Sequence, residues 1–148
     1  MAVKYFEENV RSRLSDRRKL SKFLKSLVNT YRPEVKQLDL TFIFCNDDYL
    51  LRINQDYLNH ETFTDIITFN LSETTAQLQG EIYISSERVQ ENAGKFQVDY
   101  TQELHRVIFH GVLHLCGFKD KTSTQKEQMR AEEDKCLKQY FNLKVADS

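Results

Sequence analysis

The chain has only one proline and four glycines, and no Pro-, Gly- or Ser-rich stretch separates one part of it from another. Nothing therefore marks an interdomain linker. No internal repeat or low-complexity tract argues for a second folding unit either, so residues 1–148 are expected to form one domain, large enough to bury most of its apolar surface without staples. Three cysteines with no CxxC spacing argue against a disulfide framework and against a cysteine-type zinc site. Cys45 and Cys116 sit in apolar surroundings and read as small buried hydrophobes, not nucleophiles. No run approaches the roughly 20 apolar residues that a membrane helix needs. The first residues, MAVKYFEENVRSR, lack the basic, apolar and small-residue blocks of a signal peptide. A cytoplasmic protein without a membrane partner is expected.

Charge is present but unevenly placed. Residues 1–36 hold ten basic side chains against four acids, a balance of +6, so the remainder carries −7 of the net −1. A basic segment from Arg11 to Lys25 suits a polyanion. From charge alone the solvated face of an amphipathic helix is the favoured reading.

Hydrophobic periodicity supplies the order of elements. Residues 2–8 read as a short strand, and Leu20, Phe23, Leu24, Leu27, Val28 and Tyr31 recur at helical steps until Pro33 stops the helix. Asp39–Phe44 reads as a strand. Asn46 and Asp47 cap a helix whose inner face is Leu50, Leu51, Ile53, Asn54 and Tyr57. Strands are predicted over Thr64–Leu71 and Gly80–Ser85, followed by a helix from Ser86 to about Gly94. Asp99 with Gln102 resembles a capping box opening a long helix that is apolar on more than one face and ends at Gly117. A last helix starts near Thr124, with Glu127 three residues on, and runs to about Tyr140. This order predicts an α+β (mixed α/β) domain: about four strands in one small sheet, about five helices, and a site at the end of the central helix.

That site is His110-Gly-Val-Leu-His114-Leu-Cys-Gly117-Phe-Lys-Asp120. Histidines four residues apart on a helix lie about 40° apart around the axis and roughly 6 Å along it, so both imidazoles can face one ion. Gly117 can reverse the chain and return Asp120 over the same face as a third donor. Paired histidines at this spacing also arise by chance in helices. The helix-ending glycine and the third donor distinguish this pair. Three protein ligands leave a position open for water, the layout of catalytic and not structural metal sites. The spacing parallels the metalloprotease pattern HExxHxxGxxH, but Gly111 stands where those enzymes carry their glutamate base, which disfavours peptide hydrolysis. The general base is not identified. His105, about 140° round the helix from His110, reads as a surface or supporting residue. Asp65 and Glu81, on strands expected to line the cleft, could orient a ligand histidine or accept a proton, and structural capping or strand-edge roles suit them equally well.

The run HGVLHLCGFKD resembles the signature of the YbeY family of bacterial endoribonucleases and ribosomal-RNA maturation factors, usually HGxLHLxGYDH. TDIITF at 64–69 is similar to the family's TDVLSF strand, Gly80-Glu81-Ile82 to its GDI strand, and Met129 with Glu133 to a Met-x-x-x-Glu pattern on its last helix. The resemblance implies a mixed α/β fold with one divalent metal at the bottom of a cleft, held by His110, His114 and Asp120. It also implies cleavage of single-stranded RNA, maturation of small-subunit ribosomal RNA at its 3′ end, ribosome quality control, and work close to the ribosome or its small subunit, with no DNA partner. Two departures stand out. Asp120 replaces the family's usual histidine, so zinc is expected first and manganese or magnesium become alternatives. Leu58 follows Tyr57 where the family has an arginine facing the cleft, so another basic group or His60 would have to meet phosphate. Two rival functions remain open: hydrolysis of another substrate, such as a peptide or a small phosphoester, and a ribosome-assembly or RNA-binding factor with a structural metal.

Overall fold

A computed structural model describes residues 2–58 and 64–142, so His60 lies outside the described residues. The elements follow the predicted order: β1 (Ala2–Glu7), α1 (Arg17–Tyr31), β2 (Gln37–Cys45), α2 (Asp47–Leu58), β3 (Ile66–Asn70), β4 (Gln77–Ser85), α3 (Ser86–Phe96), α4 (Tyr100–Leu115) and α5 (Ser123–Phe141). The sheet order is β1-β2-β4-β3, with β1, β2 and β4 parallel and β3 antiparallel at the edge. None of the described helices is long and apolar enough to cross a membrane.

Strand alternation decides which face carries the core. Leu38, Leu40, Phe42 and Phe44 of β2, with Leu78, Ile82 and Ile84 of β4, bury toward α1 and α4 and join the main cluster of Leu20, Leu24, Ile108, Phe109 and Val112. The opposite face is thinner. There Ile67, Phe69 and Tyr83 meet Cys45, Leu50 and Ile53 below α2. Tyr57, predicted for the inner face of α2, is 71% exposed because that helix covers so narrow a patch.

α4 is the central element, and its close seat on the sheet has a steric cause. A Cβ built on Gly111 would stand 2.9 Å from Ile66 Cδ1 and 3.1 Å from Ile82 Cγ2. The missing side chain is what lets the helix approach.

Helix ends account for most differences from expectation. α3 runs past Gly94 to Phe96, where Gln97 takes the left-handed conformation at φ 56° and closes the helix instead. Asp99 occupies the N-cap of α4 but makes no capping hydrogen bond with its side chain. The capping box of α5 is formed two residues early, by Thr122 and Gln125. Asn46 behaves as predicted, accepting from the Tyr49 N–H at 2.8 Å. The Arg11–Lys25 segment is not one helix. Residues up to Asp16 form an irregular stretch with Arg13 and Asp16 at positive φ, and α1 starts at Arg17.

His105 is neither surface nor near the site. It is 3% exposed, stacked on Tyr140 at 5.0 Å and edged by Phe141. Its Nδ1 donates to the Thr101 carbonyl at 2.7 Å, and Nε2 is buried without a hydrogen-bond partner among the described residues. Burial, opposed by that hydrogen bond and aided by Lys19, holds its pKa below the usual histidine value. The unfolded chain therefore takes up this proton first as pH falls below about 6.5, and stability present above that pH is lost on the way down. Urea unfolding at neutral and mildly acid pH should show a smaller acid loss in His105→Phe than in the wild type. An unchanged loss would place the sensitivity elsewhere.

Candidate functional site

The C-terminus of α4 is built by a Schellman turn. Gly117 N–H donates to the His114 carbonyl at 3.0 Å and Phe118 N–H to the Leu113 carbonyl at 3.1 Å. Gly117 sits at φ 111°, a conformation L side chains rarely adopt, although no atom lies within 4 Å of a Cβ placed there. The strain in Gly117→Ala would thus be conformational alone, about 1 kcal/mol. The turn directs the segment to Asp120, so activity should fall more than this stability loss accounts for, as paired denaturation and cleavage assays would show. Tyr31 packs edge-on against Phe118, at 5.0 Å between ring centroids, and fixes the turn to α1.

The three residues singled out by spacing all line one cleft of about 600 Å³, with Asp65, Glu103, Arg106 and Glu133. His110 Nε2 is 3.3 Å from Asp120 Oδ2. Its Nδ1 donates to Glu133 Oε2 at 2.6 Å, and His114 Nδ1 donates to the Phe118 carbonyl at 3.2 Å. Both rings are thus anchored through Nδ1 and keep Nε2 for a ligand. This is the arrangement by which proteins orient metal-binding histidines. Among the described residues no three or more His, Cys, Asp or Glu side chains stand in an arrangement that could hold a metal ion as they are. The donor chemistry fits a divalent ion: two imidazole nitrogens and one carboxylate, with further coordination positions left open.

Glu133 is the hub. Its other oxygen, Oε1, accepts from Arg106 at 3.0 Å, and Arg106 also donates to Asp134 at 2.6 Å. Arg106 and His110 are one helical turn apart on α4, so one α5 carboxylate grips both. For His110, burial disfavours the imidazolium. The Glu133 hydrogen bond and charge, with Asp120 and Asp65 adding to them, outweigh burial and raise its pKa above the usual value. Burial raises the carboxyl pKa of Asp65, with the charge of His110 opposing, and of Glu103, with Arg106 opposing. Both can hold a proton at a higher pH than an ordinary carboxyl.

Asp65 therefore belongs to the cleft, as expected. Glu81 does not. It alternates with Ile82, faces the α2 side, and accepts from the Tyr83 hydroxyl at 3.2 Å. The cysteines stay inert, with Cys45 and Cys136 each pushed by burial up to about 12 and Cys116 up to about 11. None of the basic residues of α1 lines the cleft; its cations are Arg106, Lys126 and Arg130. Spacing could have found Arg106, one turn before His110. Nothing local in the sequence announces that Lys126 and Arg130 return to the same cleft.

Fold and cleft together describe an α+β domain whose central helix presents histidines to a carboxylate-lined site. The family model described as "Endoribonuclease YbeY" matches residues 5–141. A protein named Endoribonuclease YbeY from Cytophaga hutchinsonii is 43% identical over 133 residues, covering 90% of this chain and 92% of its own. One of the same name from Flavobacterium psychrophilum is 52% identical over 106 residues, 72% and 74% of the two chains. A solution structure from Thermotoga maritima superposes with a TM-score of 0.62 at 24% identity, covering 95% of this chain and 90% of that one, and supports the fold. The chain belongs to the YbeY endoribonuclease family.

Proposed function

We propose that this chain is a metal-dependent, single-strand-specific endoribonuclease that matures small-subunit ribosomal RNA at its 3′ end and serves ribosome quality control in the cytoplasm. The observation that carries this reading is the cleft in which His110, His114 and Asp120 stand together, both imidazoles anchored through Nδ1. Family membership supports the reaction class.

His110, His114 and Asp120 would hold the ion, zinc first and manganese or magnesium as alternatives. When bound, it would supply Lewis-acid stabilisation of phosphoryl charge and an acidified water. Glu133 orients His110 and keeps its Nδ1 proton in place, so Nε2 stays available. Arg106 is committed to Glu133 and Asp134 and braces that carboxylate. The cations at the cleft wall, Lys126 and Arg130, are placed to meet the RNA backbone in the absence of an arginine at Leu58.

The test is cleavage of a short single-stranded RNA and its duplex by chelated protein, before and after adding back zinc, manganese or magnesium. Activity on the single strand that needs metal, from a protein that stays folded when chelated, is the expected result. Chelation that melts the fold would favour a structural metal, and cleavage indifferent to chelation would overturn metal dependence.

A further inference from the structure

The cleft has two unlike walls. Phe96, the last residue of α3, lines it and is 54% exposed, with Asn92 one turn earlier. A phenyl ring left half in water gains the fold little, since most of its apolar surface is not removed from solvent. On the other wall α5 presents Lys126 and Arg130, one helical turn apart and both exposed. Neither cationic group is in an ion pair among the described residues, whereas Arg106 between the walls is consumed by Glu133 and Asp134. Val107 and Met129, both almost fully buried, also line the cleft, together with the carboxylates Asp65, Glu103, Asp120 and Glu133. A second, shallower groove runs outward over α5 and shares Lys126 and Arg130, with Glu127 and Asp134 at its border.

An exposed aromatic face and two cations outside any close ion pair, lining one cleft, are the chemistry of single-stranded nucleic-acid binding: the base stacks and the backbone is neutralised. We infer that Phe96, Lys126 and Arg130 form a one-nucleotide subsite beside the reacting centre, with the base on Phe96 and its phosphate between the two cations. The inference rests on the endoribonuclease reading and gives its single-strand preference a physical origin. A base lying on Phe96 has left its duplex stack, so paired RNA must pay unstacking before it can enter. The groove over α5 continues the path of the strand out of the cleft.

Steady-state cleavage by the full chain, in the metal that supports it, tests the subsite. Phe96→Ala should raise KM for a short single strand about tenfold with kcat nearly unchanged, and Phe96→Trp should restore it. An abasic nucleotide walked along the RNA should cost the wild type a similar factor at one position and cost Phe96→Ala nothing more there. The double variant Lys126→Ala/Arg130→Ala should flatten the dependence of KM on salt. A wild-type KM in Phe96→Ala, or abasic penalties equal in both proteins, would overturn the subsite. Should the chain cleave no RNA, Phe96→Trp emission still decides. Saturable quenching by the RNA, lost when Lys126 and Arg130 are also alanine, keeps the subsite while the nuclease reading falls. Unchanged emission removes the subsite.

Discussion

Alanine at position 114 is expected to cut turnover of a short single-stranded RNA by about a thousandfold or more, because an ion's charge stabilisation is worth several kcal/mol and each 1.36 kcal/mol is tenfold. The same variant should melt close to the wild type. His114 is exposed at the last turn of α4, tied among the described residues by a hydrogen bond to the Phe118 carbonyl. Losses at such positions usually stay within about 0.5 kcal/mol. His110 is the less clean probe. It is half-buried, and its removal leaves the nearly buried Glu133 with one oxygen short of a donor. Rates at saturating RNA, read beside thermal melts of identically purified proteins, would check this. Equal rates in the two proteins would move the chemistry away from this cleft.

The second large effect is on folding. Gly111→Glu would supply the glutamate of the metalloprotease pattern, with Asp120 still at its last place, yet it should yield an unfolded or insoluble protein and no peptidase. Position 111 points at the sheet, where a new Cβ already meets Ile66 at 2.9 Å, Ile82 at 3.1 Å and Thr68 at 3.3 Å. A carboxylate driven into that apolar contact has no partner and costs several kcal/mol, a large share of the roughly 5–15 kcal/mol that holds a domain folded. Gly111→Ala separates size from charge. Overpacking of about 1–3 kcal/mol would be partly offset by the better helix propensity of alanine, and a folded protein is expected. Circular dichroism and soluble yield distinguish the outcomes. A folded, well-expressed glutamate variant would show that α4 can lift off the sheet.

The element order was readable because each segment carries its own period: Leu38, Leu40, Phe42 and Phe44 alternate, and Leu20, Leu24, Leu27 and Val28 step by helical turns. Helix ends were less so. A left-handed cap can fall on Gln97 as well as on a glycine, and two overlapping polar quartets, Thr122 to Gln125 and Thr124 to Glu127, compete to start α5. Glu81 is a candidate for the cleft from its strand alone, but the same alternation that buries Ile82 turns it to the other face. Of the site, spacing along one helix placed His110 and His114, and the glycine turn placed Asp120 nearby. Glu133, Arg130 and Phe96 come from other elements, and only tertiary packing brings them to the same cleft.

The grip of Glu133 on His110 and Arg106 also sets an order in time. Both histidines and the sheet lie in the first 115 residues, but the carboxylate that orients His110 comes from α5, after Ser123. A nascent chain would have presented both imidazoles before that carboxylate emerged. The cleft's polar scaffold is thus completed by nearly the last part of the described chain to be synthesised, and a chain halted just before α5 would carry the signature motif with one of its histidines unsteered.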